Sequence, residues 1–136
     1  MKTNSFLLSL GVFVLLMSCQ PATSSDASPI RAGMTKVTIL YPNAEGTTFD
    51  MDYYSNKHMP MVASLLGDSL KHLAIDKGMA GRSPDEPMPY LAIGYLYFDQ
   101  LSAYQNSFGP NAEKILSDIP NYTNIQPVLQ ISEVVE

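Results

Sequence analysis

The sequence between Tyr90 and Phe98, YLAIGYLYF, is typical of a β-strand, because it is rich in aromatic and aliphatic residues and lacks charge and proline. Large or apolar side chains occupy both of its faces, whereas a strand with one solvated face alternates apolar with polar residues. One face can pack on helices, and the other face then also needs cover. The segment therefore predicts a sheet whose open face is covered by a partner.

Three further segments have strand character. They are Lys36–Tyr41, which ends at Pro42, then Leu70–Lys77, and finally Val128–Val135. Apolar residues at the helical period fill the intervals, with the first set at Tyr54, His58, Met61, Val62 and Leu65 and the second at Leu101, Tyr104 and Phe108. The order βαββαβ predicts an α+β, ferredoxin-like domain: a four-stranded antiparallel sheet with both helices on one face.

The first helix has a defined start. Asp50 is a candidate N-cap, and Phe49 and Tyr54 have the spacing of a hydrophobic staple. Asp99 is the corresponding candidate cap of the second helix. These signals place the helical boundaries at Asp50 and Asp99.

His58 is the residue best placed for proton chemistry. It shares the apolar stripe of the first helix with Tyr54, so we expect its imidazole between that helix and the sheet. Pro60 cannot donate to the Asn56 carbonyl, and the helix is expected to bend or open beside His58. A neutral imidazole there can transfer protons near neutral pH, with Tyr54 orienting it or donating to a substrate oxygen. The alternative is a core histidine bonded to a backbone carbonyl or to Tyr54.

Other kinds of site have little support. The formal net charge is −5, and no basic cluster suggests nucleic acid as a partner. The second histidine, His72, is expected at an edge or in solvent, and the spacing of histidine, cysteine and carboxylate residues predicts no metal site. Neither a dinucleotide-binding glycine motif nor a serine-hydrolase elbow occurs.

Residues 1–19 have the pattern of a bacterial lipoprotein signal peptide, with an apolar run that ends in Leu16-Met17-Ser18-Cys19. The alternative is an ordinary signal peptide in which Cys19 has no role. Residues 20–34 are polar and are predicted to form a flexible tether, followed by one domain over residues 35–136. We therefore expect export to the bacterial cell envelope, with lipid attached at Cys19 as the membrane anchor.

Two motifs resemble those of the EthD family, which is named after a gene cluster for ether degradation. The first is Phe49–Pro60, where a histidine is followed two residues later by a proline; the second is Ile119–Thr123 together with Pro127–Val134. The resemblance implies a dimeric α+β barrel, in which two sheets pair, and hence a homodimer.

The resemblance also implies an oxidoreductase or isomerase that acts on a small hydrophobic or aromatic molecule without a bound metal or cofactor. We expect His58 and Tyr54 to be catalytic, and Tyr54, Met61, Tyr95 and Gln130 to contact the substrate. Gln130 lies among apolar residues, and its alternative is an edge-strand or dimer-contact amide. Two other functions stay open: a non-catalytic carrier of hydrophobic metabolites, and haem binding through His58.

Overall fold

The computed structural model describes residues 29–136. Its strands are β1 (Thr35–Pro42), β2 (Leu70–Lys77), β3 (Tyr90–Phe98) and β4 (Val128–Glu133). They form one antiparallel sheet in the order β2-β3-β1-β4. The predicted ferredoxin-like βαββαβ fold is confirmed, and each strand begins and ends within two residues of its predicted bounds. The predicted signal peptide and most of the predicted tether lie outside the described residues.

Two helical arms connect the strands. The first contains α1 (Met51–Tyr53), a π-helical turn (Tyr54–His58) and α2 (Met59–Leu66), and the second contains α3 (Leu101–Phe108) and α4 (Ala112–Ser117). Residues of both arms share one buried cluster with Val37, Tyr41, Ala92, Leu96 and Phe98 of the sheet. Both arms therefore cover the same face of the sheet, as predicted.

The π-helical turn has a local cause. Pro60 has no N–H, so the Asn56 carbonyl cannot receive the bond expected from an α-helix. The preceding N–H, that of Met59, donates to the Tyr54 carbonyl five residues back, where an α-helix would pair it with Ser55. The predicted opening beside His58 is confirmed and takes the form of one wide turn.

The other face of the sheet remains partly open. On β3, Gly94 and Leu96 are buried under the helices, whereas Ile93, Tyr95 and Tyr97 point to the opposite side and are half-buried. The edge strand β4 adds Val128, which is about half exposed, to this side, whereas Leu129 and Ile131 pair with Ile39 and Val37 and lie on the helix side. Within residues 29–136 this apolar surface has no cover.

Residues that precede β1 contact the fold. Gly33, in a left-handed conformation (φ 87°), donates its N–H to the Val134 carbonyl at 2.8 Å, and the Val134 N–H donates to the Met34 carbonyl at 2.8 Å. Arg31 pairs with Asp99 at 2.6 Å. Contacts with the sheet therefore extend to Arg31, within the last residues of the stretch that the sequence suggested was a tether.

The predicted cap of the second helix was wrong. Gln100, not Asp99, occupies the N-cap position of α3, and its side chain makes no capping bond. Asp99 bonds Arg31 instead, and this hydrogen bond holds the pKa of the carboxyl below its usual value. A long-range cation therefore competes successfully with the local backbone for this carboxylate.

Candidate active site

Asp50 sets the start of the first helical arm. Its side chain accepts a hydrogen bond from the Tyr53 N–H at 2.9 Å, and the Phe49 ring packs edge-on against Tyr54 at 5.1 Å. Both the predicted cap and the predicted staple are confirmed. The Asp50 N–H also donates to the Tyr122 carbonyl at 2.7 Å, so the cap joins the arm to the segment before β4.

His58 is buried, with 4% of its surface exposed. Its Nδ1 atom lies 2.8 Å from Oδ2 of Asp118, and its Nε2 atom lies 3.4 Å from the Tyr122 hydroxyl. The imidazole stacks on the Tyr54 ring at 5.7 Å. Burial lowers the pKa of His58 below its usual value, and the opposing effect of Asp118 does not offset this. The ring is therefore a neutral base near pH 7.

Asp118 follows α4 and is held from two sides. While Oδ2 meets His58, Oδ1 accepts hydrogen bonds from the Tyr53 hydroxyl at 3.0 Å and from Asn121 Nδ2 at 2.9 Å. Partial burial acts to raise the pKa of Asp118, but the hydrogen bonds from His58, Asn121 and Tyr53 outweigh it and the pKa is lowered. The carboxylate is thus ionised and has a fixed orientation.

A cluster of phenol rings lies on the Nε2 side of His58. The Tyr122 and Tyr41 hydroxyls are 2.7 Å apart, and burial raises the pKa of both phenols. The Phe49 ring contacts Tyr41 at 4.8 Å and Tyr122 at 5.5 Å. Aromatic rings therefore fill the space beside His58 between the first helical arm and the sheet.

Tyr54 is fully buried, and its hydroxyl makes no hydrogen bond within residues 29–136. The hydroxyl lies over Gly94, where a Cβ atom would stand closer than any van der Waals contact allows. Burial, with a smaller effect of the neighbouring Tyr41 phenol, raises the pKa of Tyr54, so its hydroxyl is a neutral donor.

Two depressions open beside the cluster. One, of about 410 Å³, is lined by Thr48, Phe49, Asp50 and residues 120–124, which include Tyr122. The other, of about 300 Å³, is lined by Thr47, Phe49, Met51, Lys77, Gly78, Met88 and Leu91. Phe49 lines both, so its half-buried ring separates the surface from the phenol cluster.

The structure brings only part of the predicted site together. His58 and Tyr54 stack on each other, and Met61, on α2, is half-buried and packs against the core. Tyr95 and Gln130 both lie opposite Thr38 in the sheet register, on the face away from the helices. Gln130 is exposed on the edge strand β4 and donates to the Ile131 carbonyl.

Three members of the cluster were not predicted from the sequence: Asp118, Tyr122 and Tyr41. Tyr122 belongs to the second motif, and Asp118 directly precedes that motif. That position was the one signal in the sequence that could have drawn attention to Asp118. Tyr41 looked like an ordinary strand residue, and no local pattern distinguishes it.

Two further observations concern residues 29–136. Within residues 29–136, no three histidine, cysteine, aspartate or glutamate side chains are grouped so that they could hold a metal ion. The same residues contain no helix with the length and hydropathy required to cross a bilayer.

The EthD domain model matches residues 46–126. A crystal structure of an EthD-like protein from Ralstonia eutropha JMP134 is 40% identical, covers 78% of this chain and 96% of its own, and superimposes with a TM-score of 0.74. An EthD family protein from Bacillus halodurans C-125 is 18% identical, covers 75% and 99% of the two chains, and has a TM-score of 0.53, which supports the fold alone.

A third structure, from Bacteroides fragilis NCTC 9343, is described as a dimeric protein with a ferredoxin-like fold; it is 15% identical over 75% of this chain and 97% of its own, with a TM-score of 0.40. No curated protein matches the sequence. The family match spans the first motif, His58, Asp118 and the Ile119–Thr123 part of the second motif, and the chain belongs to the EthD domain family.

Proposed function

We propose that this protein is an EthD-type enzyme of the oxidoreductase or isomerase kind, which moves a proton on a small hydrophobic or aromatic molecule without a bound metal. The observation that carries the proposal is the buried, neutral His58, held at Nδ1 by Asp118 and facing the Tyr122 hydroxyl with Nε2. Burial and the hydrogen bond to Asp118 are enough to keep this imidazole neutral and oriented, as a general base requires.

His58 is the proposed acid and base, and Tyr54 assists it. The unpartnered Tyr54 hydroxyl is a donor that can stabilise an oxygen of the bound molecule as charge develops there. The ring sits in a water-poor cluster, where such a hydrogen bond is stronger than in solvent. The two side chains stack, so one bound molecule can meet both.

The depressions on either side of Phe49 are the proposed entry to the site. The wall of the smaller depression carries Met51, Met88 and Leu91, which suit an apolar ring. Phe49 is half-buried, and a rotation of its side chain would open a path to Tyr54 and Tyr122. The phenol cluster itself must part for the molecule to bind.

The test begins with small molecules extracted from the purified protein and identified by mass spectrometry, together with a panel of simple phenols and aromatic ketones. Each is incubated with the wild-type protein, with His58→Gln and with His72→Gln as the matched control. We expect His58→Gln to lose at least ~10²-fold in turnover while His72→Gln keeps it. Unchanged turnover in His58→Gln would remove the mechanism.

The second candidate function is a non-catalytic carrier of hydrophobic metabolites. The enclosure of His58 favours it, because a ring with 4% exposure can serve as a packed wall of a binding site. The same incubations separate the two functions. A carrier returns every compound unaltered. In that case the affinity of His58→Gln for a bound compound depends on how well the new side chain packs against it and not on proton transfer.

We also propose that the protein works as a homodimer whose open sheet faces meet, because Ile93, Tyr95 and Tyr97 need cover on that side.

The proposed location of the protein is the cell envelope, with lipid on Cys19 and the tether leading to the domain. Detergent partitioning of the wild type and of Cys19→Ser tests the anchor. We expect only the wild type to enter the detergent phase, and an aqueous wild type would contradict the anchor.

A further inference from the structure

Given the acid–base role proposed for His58, we propose that Asp118 is the positioning residue that fixes His58 as a proton acceptor, so that the reaction starts with removal of a proton from the bound molecule. The members of this arrangement lie far apart in the chain: Tyr41 on β1, His58 at the end of the π-helical turn, and Asp118 and Tyr122 after α4.

The orientation of the Asp118 carboxylate is set first. Its Oδ1 atom already receives two donors, the Tyr53 hydroxyl and the Asn121 amide, which leaves Oδ2 for His58 at 2.8 Å. An ionised carboxylate only accepts hydrogen bonds. The hydrogen of the neutral imidazole must therefore sit on Nδ1.

The lone pair of Nε2 then faces Tyr122. The Tyr122 hydroxyl has to be the donor across the 3.4 Å separation, and the Tyr41 hydroxyl has to donate to Tyr122 across 2.7 Å. The three hydrogen bonds point in one direction, from Tyr41 through Tyr122 and His58 to the carboxylate. Catalytic bonds are often long before a molecule binds, and the bond to Nε2 is expected to shorten when one does.

This direction allows one first step. As the bound molecule loses a proton to the Tyr122 oxygen, the hydrogen of that hydroxyl moves to Nε2 of His58. The products are an anion of the bound molecule and an imidazolium 2.8 Å from Asp118, whose negative charge stabilises it. No electrons are transferred. A molecule that fits is a weak acid, such as a phenol or a carbon acid next to a carbonyl group.

Nitrogen NMR of the ¹⁵N-labelled protein measures the tautomer directly. The chain has two histidines, so His72→Gln assigns the His58 signals. At pH 7.5 we expect a hydrogen on Nδ1 and a bare Nε2 in the wild type. A hydrogen on Nε2, or on both nitrogens, would overturn the inference without any mutation of the site.

Asp118→Asn provides the second measurement. Tyr53 and Asn121 should hold the amide oxygen of the new side chain, so its NH₂ group would face Nδ1 and force the hydrogen to Nε2. Tyr53→Phe is the matched control, because it removes one donor to Oδ1 and keeps the carboxylate. We expect the tautomer to switch in Asp118→Asn and to persist in Tyr53→Phe. An unswitched Asp118→Asn contradicts the positioning role.

These spectra need no substrate, so they fail separately from the proposed function. If His58→Gln keeps turnover while the wild type shows Nδ1–H, the enzyme mechanism is wrong and the control of the ring by Asp118 stands. If the wild type shows Nε2–H, the positioning role is wrong whatever the turnover of His58→Gln.

Discussion

Nδ1 of His58 lies 2.8 Å from Oδ2 of Asp118, although 60 positions separate the two residues in the chain. The pair is mostly buried, with 5% and 16% of the two side chains exposed. Burial disfavours a positive charge on the imidazole more than the Asp118 carboxylate favours it, so the pKa of His58 is lowered and the ring stays neutral. This balance gives the protein a proton acceptor and also links its stability to pH.

The free energy of unfolding should fall as the pH is lowered from 7.5 to 5. The folded-state pKa of His58 is below the unfolded value of 6.5, so the unfolded chain binds the proton first. The His58 contribution is complete above pH 6.5 and is lost as the pH falls toward the folded-state pKa. Urea denaturation at several pH values measures the slope.

His58→Gln should flatten that slope, because glutamine does not titrate and its amide can still donate to Asp118. His72→Gln is the control and should keep the wild-type slope, since His58 is intact. Asp118 also has a lowered pKa, but its protonation changes the free energy of unfolding only near and below pH 3.8, outside this pH range. A His58→Gln protein with the full wild-type slope would contradict the assignment.

Gly94→Ala should destabilise the fold by about 1–3 kcal/mol, because the added Cβ atom meets the Tyr54 hydroxyl and lies 3.3 Å from Met59 Cε. Tyr54→Phe should be nearly neutral or stabilising, since the hydroxyl it removes is buried without a partner.

The double variant should recover much of the loss, because the remaining ring atom, Cζ, would lie 3.6 Å from the Cβ, an ordinary contact. Thermal or urea denaturation of the two single variants and the double variant completes the cycle. Additive effects would show that the clash is not with the hydroxyl. Tyr54→Phe also isolates the proposed catalytic role: turnover should fall while stability does not.

Asp50→Ala should cost about 1 kcal/mol, because it removes the acceptor of the Tyr53 N–H at the start of the first helical arm. Asp50→Ser keeps an oxygen at the cap and should cost much less. Urea denaturation measures both. Equal losses for alanine and serine would indicate that the backbone bond from Asp50 to Tyr122, which both variants retain, dominates this junction.

Sedimentation at micromolar concentration should find a dimer. Tyr95→Glu places a charge on the open face of the sheet and should weaken association by at least tenfold, about 1.4 kcal/mol. Leu116→Glu, at a position 52% exposed on α4 and remote from that face, is the matched control and should remain dimeric. A wild-type protein that sediments as a single monomer would contradict the dimer.

Much of this architecture was predictable from local patterns. Strand runs such as Tyr90–Phe98 are rich in aromatic and aliphatic residues, the stripe through Tyr54 and His58 has the helical period, and Asp50 and Pro60 mark a cap and a break. Each signal acts within a few residues, so the order of elements and the π-helical turn follow from it. The fold then follows because few arrangements pack these elements around one core.

The composition of the site was decided by the tertiary structure. From its local sequence, Asp118 could equally be a helix-end residue or a solvated charge. It reaches His58 only because the segment after α4 packs against the first helical arm. The same packing selects Tyr41 and Tyr122. Tyr95 and Gln130 lie on the opposite face of the sheet from His58. Successive residues of a strand point to opposite faces, so a shift of one residue in position moves a side chain to the other face. Periodicity specifies which side of an element is apolar, whereas the meeting of particular side chains depends on how the elements pack.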